Sequence, residues 1–583
     1  MYSSTSFQGA LLIAAIEAIY VVKFLSDVPI SSSSSDHPTY RVSFVIGSAL
    51  AINCGLILVY ITLIYSRFIS PLRGISGPRW WAFRIALNYL RRRAQGELLL
   101  QAAQETPNDG IVALRGLSGT RLLVTKPQIL VDLLVHRNDE FTKPKNLQRV
   151  LRRVVGDGLV IAEGDQHRLM RKKTGPAFTS QRIKGLYPMM WKNSLTFTSV
   201  LEANIRDSNP DAEPSKSPST GTVEITHWTS MATLNIILEA VLGHDFDIFG
   251  NSENPLVKAY NVIIEPSKEM LAYIFMSTWF SHRLTKIIMY NANEAFENAT
   301  ATLKEICLQL TRDRREAIGK GLESVDILSQ LINSNSFSDD ELASQLLTLL
   351  TAGHDTTAHA LSWACYLLAL DSSHQNALRS EVRRHLPSTI LNNFASPTSS
   401  VESEPSPDVA YAIMERLPLL NGVIAETFRL YPTVPATIRA PTDDTSLAGI
   451  QIPKDSEIVV SPWVINRSCE LWGPDASVFR PERWITPATS SDDPDQASED
   501  QFGGKLNNTG SAKSNYDFMT FLHGPHSCIG ANFARASLRC LLVTMVLQYE
   551  WTLDMNVDDV FPGGAISIKP QNGLFLKLKI IRG

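Results

Sequence analysis

The residues best suited to chemistry lie around one cysteine near the C-terminus, in the run Phe521-Leu522-His523-Gly524-Pro525-His526-Ser527-Cys528-Ile529-Gly530. A loop rich in glycine and proline leads here into an apolar helix that is predicted to begin near Cys528. The sulfur then lies at a helix N-terminus, where unpaired N–H groups and the helix dipole favour thiolate over thiol. Gly524 and Gly530 let the backbone approach a flat cofactor closely, and Phe521 is suited to shield the sulfur from water. The loop therefore favours a reactive thiolate over an inert buried cysteine.

A second set of reactive side chains interrupts a long apolar helix, in the run Thr351-Ala352-Gly353-His354-Asp355-Thr356-Thr357. Ser338 and Glu341 predict a capping box at the start of this helix. Glycine, aspartate and threonine lower helix propensity, and a threonine hydroxyl can bond back to the preceding turn and bend the helix. We interpret the run as a locally opened groove in which Asp355 and Thr356 deliver protons. A kink that serves packing alone is the alternative.

Two further motifs combine carboxylates with arginines. Glu426 and Arg429 lie at i and i+3 on one helix face, a pair that is weak when exposed. The later run Phe479-Arg480-Pro481-Glu482-Arg483-Trp484 offers a second arginine to the same carboxylate. A glutamate held by Arg429 and Arg483 would form a buried, multiply hydrogen-bonded lock.

The elements that must position these residues are mainly helical, with small β-sheets. The chain has 583 residues, of which 44% are hydrophobic and 19% charged, so it can bury a large core. Strands are predicted at Arg121 to Thr125 and at Leu574 to Ile580, where apolar residues alternate. Three stretches rich in Ser, Pro, Asp or Asn are predicted to be surface insertions, namely Asp207 to Gly221, Ser388 to Pro407 and Pro487 to Ser514. Residues 71–583 are predicted to form one catalytic domain.

Charge and cysteine content exclude some classes of function. Lys plus Arg (54) nearly balances Asp plus Glu (58), and a net charge of -4 gives no reason to expect a nucleic-acid partner. The six cysteines are far apart and show no metal-binding spacing. So few cysteines in so long a chain favour a reducing compartment without a disulfide framework.

The N-terminal residues 1–70 are predicted to form a membrane anchor. The stretch from Val42 to Tyr65 carries no charged residue and is long enough to span a bilayer. Arginines crowd its C-terminal flank, which predicts a cytosolic catalytic domain; a buried core helix is the alternative. A weaker apolar stretch, residues 9–25, is interrupted by Glu17 and Lys23. We expect it to form a second span in a hairpin, with an interfacial helix or a signal sequence as alternatives.

These four motifs, in this order, resemble the cytochrome P-450 family of haem-thiolate monooxygenases. The resemblance covers the chain from about Pro71 to the C-terminus and includes the runs Gly156-Asp157-Gly158 and Gly164-Asp165-Gln166-His167-Arg168-Leu169-Met170-Arg171. It implies the cytochrome P-450 fold, preceded by a transmembrane helix or helical hairpin. The membrane tether is similar to that of the microsomal branch, and the polar insertions resemble those of filamentous-fungal members.

The resemblance also implies a cofactor, haem b, with Cys528 as its axial thiolate ligand. His526 stands where many members have arginine, and His167 stands where many have tryptophan. Both can still donate to a haem propionate, and Arg171 and Arg439 would be further propionate partners. Phe521, Gly524 and Gly530 would complete the cofactor site.

The implied reaction inserts one atom of O2 into a lipophilic substrate, with proton delivery assigned to Asp355 and Thr356. The fungal character suggests a terpenoid, polyketide or alkaloid intermediate of specialised metabolism. The chain has no glycine fingerprint for a flavin or nicotinamide nucleotide, so an NADPH-dependent reductase is the implied electron donor. The expected location is the endoplasmic reticulum membrane, with the catalytic domain facing the cytosol.

Two surfaces are assigned to the partners. A basic docking patch for the reductase is predicted from the cations of two helices, Arg168, Lys172, Lys173, Arg535 and Arg539, with ordinary solvated helix faces as the alternative. The substrate pocket would be lined by three segments, Lys145 to Val155, Thr433 to Ile438 and Gly563 to Ile566.

Three other functions remain open. A haem-thiolate isomerase or dehydratase would rearrange an oxygenated substrate without a reductase, and a test for NADPH dependence separates it. A non-enzymatic haem sensor or carrier would need no groove for proton delivery. A silent membrane scaffold would bind no haem, which an absorption spectrum reveals.

Overall fold

The computed structural model describes residues 60–581 apart from short gaps, together with four earlier residues. The gaps are 117–118, 208–219, 245, 251–254, 265–266, 280–281, 323–324, 396–406, 488–502 and 565, and the earlier residues are Ser48, Asn53, Gly55 and Leu56. The predicted span at 9–25 lies outside the described residues, as does most of the predicted span from Val42 to Tyr65. A π-helix over Tyr60–Ile69 includes the last residues of the latter span. Among the residues described, no helix is long and apolar enough to cross a bilayer.

Helices form most of the described structure, as the sequence predicted. They are α1 (Trp81–Leu90), α2 (Gln95–Glu105), α3 (Pro127–Val131), α4 (Lys145–Val155), α5 (Gly164–Thr174), α6 (Ser180–Asp207), α7 (Ile225–Leu242), α8 (Pro255–Ile264), α9 (Lys268–Trp279), α10 (His282–Ile288), α11 (Tyr290–Gly319), α12 (Ile327–Asn333), α13 (Asp339–Leu370), α14 (Ser372–His385), α15 (Ser388–Ala395), α16 (Pro407–Arg416), α17 (Pro418–Leu430), α18 (Pro462–Asn466), α19 (Cys469–Trp472) and α20 (Ala531–Gln548).

The strands are short and form small sheets at the edge of the helical body. They are β1 (Ile111–Gly116), β2 (Gly119–Val124), β3 (Phe141–Thr142), β4 (Thr220–Glu224), β5 (Thr437–Pro441), β6 (Thr445–Leu447), β7 (Ile450–Ile452), β8 (Ile458–Val460), β9 (Ile485–Pro487), β10 (Gly504–Leu506), β11 (Tyr549–Leu553), β12 (Pro562–Gly563), β13 (Lys569–Pro570) and β14 (Phe575–Ile580). The largest sheet has the order β1-β2-β8-β5-β3, and a second has the order β11-β14-β4. The strands predicted at Arg121 to Thr125 and at Leu574 to Ile580 are thus confirmed as β2 and β14.

The long helix α13 runs through the centre of the core. Its predicted capping box is confirmed: the Ser338 side chain accepts from the Glu341 N–H, and the Glu341 carboxylate accepts from the Ser338 N–H. The helix packs closely on α7 at Gly353, where a Cβ would come within 2.7 Å of the Ile237 side chain. Glycine at this position therefore lets two helices approach each other beside the reactive run.

Two predicted insertions are more ordered than their composition suggested. Residues 388–395 form α15, which buries Ile390 against the core, so this part is not a structureless insertion. Residues 504–506 form β10, which pairs with β9. The intervening residues 396–406 and 488–502, and residues 208–219 of the third insertion, lie outside the described residues.

Candidate active site

The predicted carboxylate–arginine lock, formed by Glu426, Arg429 and Arg483, is present and almost fully buried. The Arg429 guanidinium donates to both Glu426 oxygens, at 2.8 Å from Nε and 2.7 Å from Nη2. Arg483 adds a bond of 3.1 Å from Nε to Oε1. Two donors that the sequence analysis missed complete the set, the Trp484 indole at 2.9 Å and the Arg480 backbone N–H at 3.1 Å. The carboxylate is satisfied on both oxygens, as a buried charge requires.

The lock is connected to the cysteine loop by a chain of hydrogen bonds. Arg429 Nη1 donates to the carbonyl oxygen of Asn466 at 2.7 Å. The Asn466 side chain in turn accepts from the Met519 N–H and donates to the Thr520 hydroxyl, each at 2.8 Å. Thr520 also donates to the Phe428 carbonyl on α17 at 2.7 Å. The lock therefore fixes the point at which the chain enters the loop.

The loop itself is closed by local backbone contacts. The Cys528 N–H donates to the Phe521 carbonyl at 2.8 Å. Leu522 adopts a left-handed backbone with φ of 54°, which costs energy for a residue with a Cβ. Gly524 has φ of 76°, and a Cβ there would come within 2.1 Å of the Leu134 carbonyl oxygen. Glycine is thus required at 524 by the turn and by its packing on Leu134, a different reason from the predicted close approach of a cofactor.

The helix that follows the loop begins later than predicted. It starts at Ala531 with Gly530 as N-cap, and Cys528 still belongs to the loop, where its N–H donates to the Phe521 carbonyl. Burial raises the pKa of the Cys528 thiol. The Gly530 N–H and the nearby Arg171 and Arg535 lower this pKa, but by less. The Gly530 N–H acts in the direction predicted for a helix N-terminus, while burial acts against it. A metal ion is what would deprotonate this sulfur, since a coordinated thiol is held as thiolate.

The surroundings of the sulfur nevertheless suit a flat metal cofactor. The Cys528 side chain is accessible although desolvation affects it strongly. A Cβ on Gly530 would meet only the Cys528 sulfur within 4 Å, at 4.0 Å, so this glycine leaves room beside it. The Phe521 ring lies edge-on to Phe428 at 5.0 Å, and Arg535 lies over its other face at 4.7 Å.

A cationic cluster lies on one side of the same loop and brings together all four predicted propionate partners. The rings of His167 and His526 stack with centroids 3.8 Å apart. Arg171 donates to the Ser527 carbonyl at 2.6 Å, next to the cysteine. Arg439 is only 3% exposed, and its guanidinium donates hydrogen bonds to the Thr437 hydroxyl and the Ile438 carbonyl.

Two members of this cluster were missed by sequence reasoning. Lys143 and Glu163 form an ion pair of 2.8 Å, and Glu163 also lies 3.5 Å from His526. Glu163 directly precedes the matched run on α5 and was detectable from that position, whereas nothing in the sequence around Lys143 marks it.

The cluster holds more positive charge than its own carboxylate can balance. Burial lowers the pKa of Arg439, and burial together with Arg439 lowers that of Lys143. Burial and Lys143 lower the pKa of His167 to about 4, and burial and His167 lower that of His526 to about 2. Both histidines are therefore neutral at pH 7 in this state. A cofactor with two carboxylates fits these residues, since it would supply the missing negative charge.

The reactive run on α13 places its side chains in different directions. Asp355 accepts from the Ser567 hydroxyl and lies 3.3 Å from His359, one turn further along. Thr356 and Thr357 donate to the carbonyl oxygens of Ala352 and Gly353, each at 2.8 Å. This is the predicted bonding to the preceding turn. The backbone stays helical throughout, so the predicted groove is not a break in the helix.

The predicted docking patch is only partly on the surface. Arg539 is buried and donates to the Asn421 side-chain oxygen at 2.7 Å, and the Arg535 guanidinium lies over the Phe521 ring. Arg539 is therefore wrongly assigned to an exposed patch, whereas Arg535 is half-buried and its assignment stays a prediction. Lys172 is exposed. Arg168 is exposed too but is paired with two carboxylates, and Lys173 donates to the Ser336 carbonyl.

Comparison with known proteins gives a consistent result. The family model for Cytochrome P450 matches residues 75–576. The chain is 33% identical to cytochrome P450 monooxygenase ptmK of Penicillium ochrochloron, over 89% of this chain and 96% of that protein. It is 33% identical to cytochrome P450 monooxygenase sphH of Aspergillus fumigatus, over 90% and 91%. It is 32% identical to cytochrome P450 monooxygenase ALT8 of Alternaria alternata, over 99% of both.

Proposed function

Because this chain belongs to the cytochrome P450 family, we propose that it inserts one atom of O2 into a lipophilic organic substrate with electrons from an NADPH-dependent reductase. The family's cofactor, a haem with a cysteine thiolate ligand, supplies the oxygen-activating chemistry, because the thiolate pushes electron density onto iron and favours O–O cleavage. The observation that carries the proposal is the accessible Cys528 sulfur in a glycine-rich loop held by a buried lock.

Cys528 is the proposed axial ligand. Among the described cysteines, Cys307, Cys365 and Cys540 are buried, and burial raises the pKa of each thiol to about 12. Cys469 is exposed on α19. Cys528 alone in this set combines access, a donated N–H from Gly530 and nearby guanidinium groups.

The cationic cluster is the proposed site for the two haem propionates. Arg171 and Arg439 would bring permanent positive charge, and the stacked pair His167 and His526 would donate N–H groups. Lys143 lies in the same cluster and is a further candidate. Charge-assisted hydrogen bonds of this kind are stronger than neutral ones, which compensates for burying the propionates.

Asp355 and Thr356 are the proposed groups for proton delivery. Thr356 donates its own proton to the Ala352 carbonyl, which leaves the oxygen lone pairs available to accept a hydrogen bond. Asp355, one residue earlier on α13, provides an ionisable carboxyl group that can exchange protons with water. Neither residue needs to move far, because a rigid, capped helix carries both.

Replacing Thr356 with alanine is expected to leave haem bound while it uncouples electron use from product formation. Product per NADPH should fall by roughly tenfold or more, since a positioned group that takes part in proton transfer contributes at least that factor. The matched control is Thr357→Ala, which removes the same type of back-bonded hydroxyl one residue on. Equal coupling in the Thr356 and Thr357 variants, measured as peroxide released per NADPH, would refute the role of Thr356 in proton delivery.

The substrate and location are proposed from the sequence. We place the chain at the endoplasmic reticulum membrane through its apolar residues 42–65, with the catalytic domain in the cytosol. A lipophilic substrate would partition into that bilayer, and we propose a specialised metabolite such as a terpenoid, polyketide or alkaloid intermediate. The lining segments at 145–155, 433–438 and 563–566 stay predictions.

Microsomes containing this chain and a fungal NADPH-dependent reductase provide the test. They are supplied with candidate intermediates and 18O2, and products are analysed by mass spectrometry. We expect one 18O atom per product molecule, with no turnover when NADPH or the reductase is omitted. Turnover that persists without NADPH would instead support an isomerase or dehydratase, and haem binding without any turnover would support a sensor.

A further inference from the structure

The carboxylate of Asp355 is held between two parts of the chain that are far apart in sequence. One oxygen accepts a hydrogen bond from the Ser567 hydroxyl, 212 residues later. The other lies 3.3 Å from Nε2 of His359 on the same helix. Both partners are buried, Ser567 at 7% and His359 at 4% exposure. The direction of this carboxylate is thus set by contacts from α13 and from the segment between β12 and β13.

Ser567 is held in place by its own backbone surroundings. The next residue, Ile568, donates its N–H to the Thr433 carbonyl at 2.8 Å and accepts from the Trp363 indole at 3.1 Å. Gly564 has φ of 111°, and a Cβ there would come within 2.1 Å of the Ser567 carbonyl oxygen. These contacts hold the backbone next to the residue that carries the hydroxyl.

Other ionisable groups lie near the same carboxylate. Asp355 acts electrostatically on His354 of α13 and on Tyr260 of α8, and Lys569 of β13 acts on His354. His354 bonds to the Ser230 hydroxyl at 2.9 Å and lies 3.3 Å from the Tyr260 hydroxyl, so it faces away into α7 and α8. The Ser567 hydroxyl and the His359 imidazole each approach one of the two carboxylate oxygens.

We propose that Ser567 and His359 are positioning residues that aim the Asp355 carboxylate. The inference rests on the proposed role of Asp355 in proton delivery, and it adds that this role depends on the turn between β12 and β13. That turn also carries Ile566, whose side chain is 70% exposed. A ligand that displaces the turn would therefore loosen the hydrogen bond to the acid.

The test uses the full-length holoenzyme with reductase and NADPH, without substrate, and carbon monoxide as the probe of the distal side. Ser567→Ala is expected to shift or split the carbonyl stretching band of the ferrous complex, because a reoriented carboxylate changes the local field. The ratio of peroxide to water formed from consumed NADPH should rise roughly tenfold, which corresponds to about 1.4 kcal/mol. Ser567→Thr, which keeps the hydroxyl, should behave like the parent. His359→Gln should shift the band as well.

Two further variants separate the possible failures. Ser334→Ala removes a hydroxyl at the end of α12 that donates to the Leu331 carbonyl. This variant should leave both readouts unchanged. Asp355→Asn tests the acid itself. If Asp355→Asn changes both readouts and Ser567→Ala changes neither, the positioning inference is overturned while the proton-delivery role stands. If Asp355→Asn changes neither readout, the proton-delivery role fails, and the inference fails with it.

Discussion

The Glu426→Ala variant is expected to lose about 3–5 kcal/mol of folding free energy, the cost of breaking a buried ion pair from one side. The substitution leaves the guanidinium groups of Arg429 and Arg483 without their shared carboxylate, and both are almost completely buried. The Trp484 indole and the Arg480 N–H lose an acceptor as well. Because the lock is connected through Asn466 to the cysteine loop, haem retention should fall together with stability.

Chemical denaturation of purified holoprotein measures this loss, with haem content followed in parallel. The control is Glu316→Ala, which removes an exposed i,i+4 partner of Lys320 and should cost about 0.5 kcal/mol or less. Glu426→Gln keeps the shape of the side chain and removes its charge, so it provides a second measurement where the alanine variant does not fold. Denaturation midpoints for Glu426 variants equal to that of Glu316→Ala would refute the lock.

The Cys528→Ser variant is expected to lose oxygen insertion almost completely. Serine is a poor replacement for a thiolate that donates electron density to iron, so activity should fall by more than the roughly 100-fold typical of losing an outer-shell partner. The loop itself should still close, because Cys528 contributes its backbone N–H, not its sulfur, to that closure. Turnover under the microsomal conditions described above, with protein quantified by mass, measures the effect.

The same substitution at Cys469 is the matched control, since that residue is an exposed cysteine on α19. Cys469→Ser should retain parent turnover and parent spectra. Substantial turnover in Cys528→Ser, or its loss in Cys469→Ser, would mean that the reactive sulfur has been assigned to the wrong residue.

Local patterns predicted the parts of the site that are close together in sequence. The capping box of α13, the back-bonded threonines and the pairing of Glu426 with Arg429 all follow from spacing along a helix. The start of α20 was predicted near Cys528, but this residue still belongs to the loop, where its N–H donates to the Phe521 carbonyl, and the helix begins at Ala531. The periodic pattern of a helix does not predict the conformation of the loop that precedes it.

Contacts between distant segments were not predictable in the same way. Ser567 meets Asp355 across 212 residues, and Lys143 meets Glu163 from a different element. The sequence shows the charge of Arg539 but does not show that it contacts α16 and α17. Arg539 was therefore predicted to lie on the surface. A charged side chain on an apolar helix is placed by whatever packs around that helix, which one sequence does not reveal.

The most direct measurement of the central claim is the absorption spectrum of the ferrous carbonyl complex of the purified, full-length protein. If the Cys528 thiolate binds haem iron, the complex should absorb near the long-wavelength position that sulfur coordination produces, and Cys528→Ser should abolish that band. A well-folded, haem-loaded parent protein whose carbonyl complex lacks this band would contradict the account.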